Sequence, residues 1–262
     1  VDSLIRYLRN ENDGYASIRE PVNYDEKRRL LRSLMNVRWP GEASEEFLAR
    51  QDEFLTEEAE EKGIVDYADI PVIGDIYTCI GIKNMDRISL WRGDITRLRA
   101  DAIVNAANSQ MLGCFVPCHG CIDNAIHTWA GVQLRLACAQ QMQRQGREEA
   151  PGRAKITPGF NLPCRYVLHT VGPMVGEAVT RKDRELLAGC YRSCLNLAAA
   201  HGLHSVAFCC ISTGEFHFPA EPAAEIAVQT VREWQRQNPG NVEVIFNVFQ
   251  DSDYAIYKRL LQ

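Results

Sequence analysis

Residues 113–127 read GCFVPCHGCIDNAIH, with three cysteines and a histidine between Cys114 and Cys121 and a carboxylate, Asp123, just beyond. Thiolates and imidazole are the usual zinc ligands, and a catalytic zinc takes three protein ligands and leaves one position open. Cys114, His119 and Cys121 form C-x4-H-x-C, and Cys118 is a substitute through C-x2-C. All these donors come from one loop, without the distant second pair of a zinc finger. A cysteine-rich loop without metal stays open. So does a Cys118/Cys121 redox pair, although no Trp-Cys-x-x-Cys start precedes it. Asp123 fits the N-cap of a following helix. His127 lies one turn further on and fits a core histidine. His169, in an apolar strand, fits core packing or support behind a site.

Three other loops follow strand-like runs, where α/β proteins bind ligands. In GDIT, residues 93–96, Asp94 can accept from a ligand amine or cap its own turn. In VNAANSQ, residues 104–110, Asn105 and Asn108 offer amides suited to ribose hydroxyls, or simply form a turn. In ISTGEFHFP, residues 211–219, Ser212, Thr213 and Gly214 can form a nest of N–H groups for phosphate, or a plain strand-to-helix turn. There is no G-x-x-x-x-G-K and no G-x-G-x-x-G, which excludes a Walker site and a standard dinucleotide fingerprint.

Alternating elements must hold these loops. From Met85 onward, RISLWRGD, AIVNAAN, RYVLHTVG, SVAFCCIS and VEVIFNVF read as strands. DNAIHTWAGVQLRLACAQQMQRQG, RKDRELLAGCYRSCLNLAAAHG, PAAEIAVQTVREWQRQN and DYAIYKRLLQ read as helices. That alternation predicts an α/β fold with helices on both faces of a mixed sheet, over residues 86–262. Residues 1–85 read as a helical N-terminal extension without a catalytic constellation. Leu30, Leu31, Leu34 and Met35 mark one helix, and a capping box at Ser44 and a stop at Gly63 bound another. The run EEAEEK reads as a solvated helix face.

With 262 residues, 46% of them hydrophobic, and a net charge of -5, the chain has no electrostatic footprint for nucleic acid. No apolar run is long enough to span a membrane, and VDSLIRYLRN has no signal-peptide core. Because the chain starts at Val1 rather than Met, a natural start upstream is expected. Ten cysteines without a secretion signal point to a reducing, cytoplasmic compartment and free thiols.

Together, GDIT, VNAANSQMLG, DNAIHTWAG, PGRAKITPGFNLPCRYVLHTVGP and ISTGEFHFP resemble the ADP-ribose-hydrolysing branch of the macrodomain family. In that branch the loop before the D-x-x-I-H helix is usually rich in glycine. GCFVPCHGC in its place looks like the zinc-dependent macrodomains of microbial type, whose helical N-terminal extension is similar to LRSLMNVR…SEEFLARQDEFL…KGIVD. The resemblance implies a three-layer α/β/α macrodomain and hydrolysis of mono-ADP-ribose from a modified protein, with a non-catalytic reader of ADP-ribose as the alternative. It implies that Asp94 and Ile95 meet adenine, that Asn105 and Asn108 lie near the distal ribose, and that Phe249 borders the adenine with Asp251 or Tyr254. Ser212, Thr213, Gly214, Glu215 and Phe216 would cradle the diphosphate, and Phe216 would pack beside the ribose. Cys114, His119 and Cys121 would bind Zn2+, with Asp123 and Asn108 catalytic. Related zinc macrodomains accompany a sirtuin-type ADP-ribosyltransferase and a lipoate-carrier protein, which makes such a carrier an expected partner.

Overall fold

The computed structural model describes residues 1–15, 17–19, 21–76, 87–238 and 242–262. The expected boundary between residues 85 and 86 lies outside them. Three helices open the chain: α1 (Asp2–Asn10), α2 (Tyr24–Val37) and α3 (Glu45–Lys62). Asn23 caps α2 by accepting from the N–H of Glu26, and Gly63, at φ 79°, ends α3 in a conformation that suits glycine. Ser44 caps α3 through the N–H of Phe47. The expected box is a single cap, because Phe47 has no acceptor to return the bond. Helix α1, which DSLIRYLRN had not signalled, turns Leu4, Ile5 and Leu8 onto Leu31, Leu34, Phe47 and Leu55. These form a small core of their own, against Trp129 and Val132. EEAEEK is not wholly solvated: Glu58 is 2% exposed and pairs with Arg28 of α2, as a buried carboxylate must.

Past Gly63 the chain joins the larger unit. Strand β1 (Val65–Asp66) pairs in parallel with β3 (Leu98–Arg99), and a short turn of helix, α4 (Ile73–Ile76), follows. Ile70 and Ile73 enter the main core. The central sheet runs in the order β2 (Ile88–Arg92), β8 (Glu243–Val248), β7 (Ser205–Phe208), β4 (Ala102–Ala107), β6 (Tyr166–Val171), β5 (Ala154–Pro158). Five strands are parallel and β5 is antiparallel to β6, so the sheet is mixed as expected. Strand β5 was not among the expected strands; it lies at the sheet edge, where its Pro158 is tolerated.

Helices α5 (Ile122–Ala130) and α6 (Val132–Gln145) replace the single helix expected over 123–146. Gly131, at φ 92°, makes the corner, where a Cβ would meet Gln51, Gln133 and Asn161 within 3 Å. Helices α7 (Arg181–Ala200), α8 (Ala220–Gln237) and α9 (Asp251–Leu261) pack side by side. Thr180 and Asp183 close a reciprocal capping box on α7. Alternation along β6 divides the two faces. His169 points to α5 and α6, close to His127 and Cys138. Thr170 lies with Cys190 of α7. Strand β7 ends at Phe208, so Cys209 and Cys210 follow the strand rather than lie in it.

Candidate active site at the carboxyl end of β4

The register of β4 on β6 sets Asn105 beside His169, and both side chains are fully buried. The Asn105 amide nitrogen donates to Asp123 Oδ1 at 2.8 Å, and it lies 3.1 Å from His169 Nδ1. Asn108, just past β4, donates to the Gly113 carbonyl at 3.1 Å and reaches Asp123 Oδ2 at 3.5 Å. Its own oxygen accepts from the N–H of Met111. Asp123 is 4% exposed and sits in the first turn of α5. It does not cap the helix, because Cys121 occupies that position. Burial raises the Asp123 pKa to about 6, against the Asn105 hydrogen bond and the charge of Arg135. His127 packs under Gly113, where a Cβ would strike the imidazole ring at 2.7 Å. Its Nε2 lies 3.6 Å from Asp123 Oδ1.

The Cys114, His119 and Cys121 donor atoms converge within 4.8 Å of one another, half-buried beside Asp123. His119 presents Nδ1 to Cys114 Sγ at 3.7 Å, and its Nε2 lies 3.5 Å from Glu215. Burial, together with the neighbouring Cys114 and Asp123, pushes the Cys121 thiol up to about 12. Two thiols side by side, with an imidazole presenting its ring nitrogen to one of them, are the donor set of a three-ligand zinc site. A bound cation would supply the charge that lets them deprotonate. Cys118 stands apart. At φ 54° it turns its thiol to the Ser33 hydroxyl (3.2 Å) and the Arg29 carbonyl (3.5 Å) of α2.

Helix α2 holds this loop, although the extension had shown no catalytic pattern. Arg32 donates to the His119 carbonyl (3.0 Å) and to the Asn124 side chain (2.8 Å), and the Asn36 oxygen accepts from the N–H of Cys118 (2.9 Å). Asn124 in turn donates to the Val116 carbonyl at 3.0 Å. Arg135, buried in α6, donates to the carbonyls of Met35, Asn36 and Arg38 at the end of α2 and to Leu112 in the loop. A cation at a helix C-terminus also meets the favourable end of its dipole. Spacing had not marked Arg32, Asn36 or Arg135. The one available signal was Arg135 itself, a charge between the buried Leu134 and Cys138.

The remaining candidates line the other strand ends. Asp94 caps the turn at Ile95–Arg97 by accepting from the N–H and hydroxyl of Thr96. Ile95 places its side chain in the main core. Ser212, at φ 66°, lies so close to Gly172 that a Cβ there would meet its hydroxyl at 1.9 Å. The Phe218 N–H closes the loop onto the Ser212 carbonyl. Thr213 bonds the Cys210 carbonyl, and the Gly214 carbonyl accepts from His217. Among the described residues, the N–H groups of Gly214, Glu215 and Phe216 donate to no backbone carbonyl. Phe216 packs beside Ala107, Met111 and Val171, next to the Asn108 turn. Phe249 is 77% exposed beyond β8, and Tyr254 is half-buried near it.

The Macro domain family model matches residues 104–227. A protein-ADP-ribose hydrolase from Treponema medium is 55% identical over 98% of this chain and 96% of its own. One from Staphylococcus aureus is 45% identical over 100% of this chain and 94% of its own. A Fusarium oxysporum protein described as a probable bifunctional ADP-ribose hydrolase/ADP-ribosyltransferase is 50% identical over 67% of this chain, which spans 31% of that protein. Among solved structures, the Oceanobacillus iheyensis macrodomain with ADP is 40% identical, with a TM-score of 0.61 over 66% of this chain and 89% of that one. The Trypanosoma brucei macrodomain in complex with ADP-ribose is 30% identical, with a TM-score of 0.67 over 93% of this chain and 97% of that one. With a family model, a fold and near-full-length relatives in common, the chain belongs to the macrodomain family.

Proposed function

We propose that this protein removes mono-ADP-ribose from modified proteins, releasing ADP-ribose, with Zn2+ held by Cys114, His119 and Cys121. Hydrolase activity on protein-linked ADP-ribose follows from relatives of that name at 45–55% identity over nearly the whole chain. The observation that carries the site is Asp123, held by Asn105 and Asn108 at the end of β4 and flanked by the donor triad.

In this reading the N–H groups of the 212–216 loop take the diphosphate, and Asn108 takes a hydroxyl of the distal ribose. Asp94, Ile95 and Phe249 border the adenine. Asp123 receives a proton as water adds to C1″ of that ribose; the protein side chain departs with the bonding pair and takes up a proton. A zinc ion with an open position supplies orientation of a ribose hydroxyl or polarisation of an oxygen. Two thiolates neutralise its charge, which favours orientation over a strongly activated hydroxide.

The resemblance names a lipoate-carrier protein as the modified partner. The Fusarium relative, described as carrying hydrolase and transferase in one chain, supports a pairing of the two activities. All nine described cysteines are free, which agrees with a reducing, cytoplasmic setting. Among the described residues no helix is long and apolar enough to cross a membrane.

The test is release of ADP-ribose from a mono-ADP-ribosylated protein by the wild type, by Asp123→Asn and by chelator-treated enzyme. Release by the wild type alone is expected. Full activity of the metal-free enzyme would overturn the zinc assignment. A metal-loaded wild type that binds ADP-ribose and releases none would be a reader.

A further inference from the structure

The buried group behind Asp123 has a directionality of its own. Asn105 spends both amide protons, one on Asp123 Oδ1 (2.8 Å) and one toward His169 Nδ1 (3.1 Å). Its oxygen is buried and has no hydrogen-bond partner. A turned amide would point that oxygen at the carboxylate, a repulsive contact, so the amide has one workable orientation. That orientation requires an acceptor at His169 Nδ1. The imidazole must therefore carry its proton on Nε2, which faces the Thr157 hydroxyl at 2.9 Å. Thr157 lies on β5, is 2% exposed, and is separated from Asp123 by two side chains.

We infer that His169, held by the Asn105 amide as its Nε2–H tautomer with the Thr157 hydroxyl as acceptor, is a positioning residue that acts through Asn105 to aim the Asp123 carboxylate. The inference rests on the hydrolase reading, in which Asp123 is the catalytic carboxylate. His169 is fully buried, and its partners come from strands β4 and β5 on either side of β6. Burial also holds the ring neutral, with its pKa lowered to about 3, so the acceptor at Nδ1 persists across the neutral range. A protonated or inverted ring would donate at Nδ1 and compete with Asn105 for the same space. Sequence reading had assigned His169 to packing or to support behind a site. The geometry supplies the direction in which that support acts.

The test combines nitrogen NMR with kinetics. In wild-type protein labelled with 15N-histidine, the His169 ring should show its proton on Nε2; a proton on Nδ1 overturns the inference whatever the enzyme does. His169→Phe keeps a ring but loses the acceptor. Its kcat should fall roughly 10- to 100-fold, as for a misplaced catalytic group, while the Kd for free ADP-ribose stays within about threefold. His169→Gln returns an acceptor and should recover most of the loss. Equal losses in the two variants, or none in either, would reduce His169 to packing. If His169→Phe does not fold, Thr157→Val replaces it. This isosteric change removes the nearer Nε2 partner and leaves only Cys138 Sγ at 3.7 Å, so kcat should fall with ADP-ribose affinity intact; unchanged kcat overturns the inference. A wild type that fails to hydrolyse would instead overturn the hydrolase reading, and the NMR result would still stand.

Discussion

Two clusters of histidine and cysteine lie on either side of Asp123, and both bring three donor atoms within 4.8 Å. Cys114, His119 and Cys121 are half-buried on a loop, and their polar atoms face one another. His127, Cys138 and His169 are buried between the sheet and helices α5 and α6. In the second cluster His169 already commits Nδ1 to Asn105 and Nε2 to Thr157. Burial pushes the Cys138 thiol up to about 12, as it does Cys121 in the loop, so thiol acidity does not separate the two clusters. Proximity alone therefore does not make a metal site. Ligands must also be uncommitted and within reach of an entering ion. In the proposed reading the half-buried loop cluster takes the ion, and the buried one serves the carboxylate instead.

The sharpest way to break this comparison is to remove a ligand from each cluster. Cys121→Ala should abolish stoichiometric zinc, measured by elemental analysis, and lower turnover roughly a hundredfold or more. Retained metal with full turnover would erase the distinction between the clusters.

A smaller but global effect is expected at Arg135, which ties the loop to α2. Arg135→Met leaves the Met35, Asn36 and Arg38 carbonyls without their donor. Losing a buried charge with several hydrogen bonds should cost about 3 kcal/mol, read as a lower denaturant midpoint at unchanged slope. Zinc affinity should fall as well, because the loop loses its anchor. Unchanged stability would mean that the extension does not support the site.

Below that comes the buried cluster. Cys138→Ala removes one sulfur from a packed core and should cost about 1–2 kcal/mol, with zinc content unchanged. Zinc lost together with Cys138 would show that the two clusters form one metal system.

Legibility in the sequence followed the range of the interactions. Strands β4, β6 and β8 and helices α7 to α9 announce themselves by period and by caps, which are local. Helix α1 and strand β5 do not, since each depends on a partner distant in sequence: α1 on Leu31 and Phe47, and β5 on β6. The single helix drawn through 123–146 missed Gly131, whose left-handed corner is set by Gln51 and Asn161 from other segments. The loop cysteines and Asp123 stood out because their chemistry is compressed into one stretch. Arg32, Asn36 and Arg135 stayed hidden because helix-face spacing does not reveal which carbonyls a distant loop will bring. Glu58 was misread as solvated for the same reason, its partner Arg28 being 30 residues away.

The smallest expected effect concerns Cys118, which spacing left as a substitute ligand for the metal. Its thiol faces Ser33 and the Arg29 carbonyl, and its N–H is held by Asn36, so it belongs to the seat of the loop on α2. What fixes its place is the backbone bond, which a substitution to alanine leaves intact. Cys118→Ala should therefore keep one zinc per chain and turnover within about twofold, and cost at most about 1 kcal/mol through the lost thiol contacts. Cobalt in place of zinc gives the direct reading, because thiolate-to-cobalt absorption counts the sulfur ligands. That band should be the same in wild type and Cys118→Ala and weaker in Cys114→Ala. A weaker band in Cys118→Ala would place a third thiolate on the metal and require the 118 turn to invert when the ion binds. Half-burial of the loop alone does not forbid that inversion; the two α2 contacts on the thiol and the Asn36 bond on the backbone oppose it.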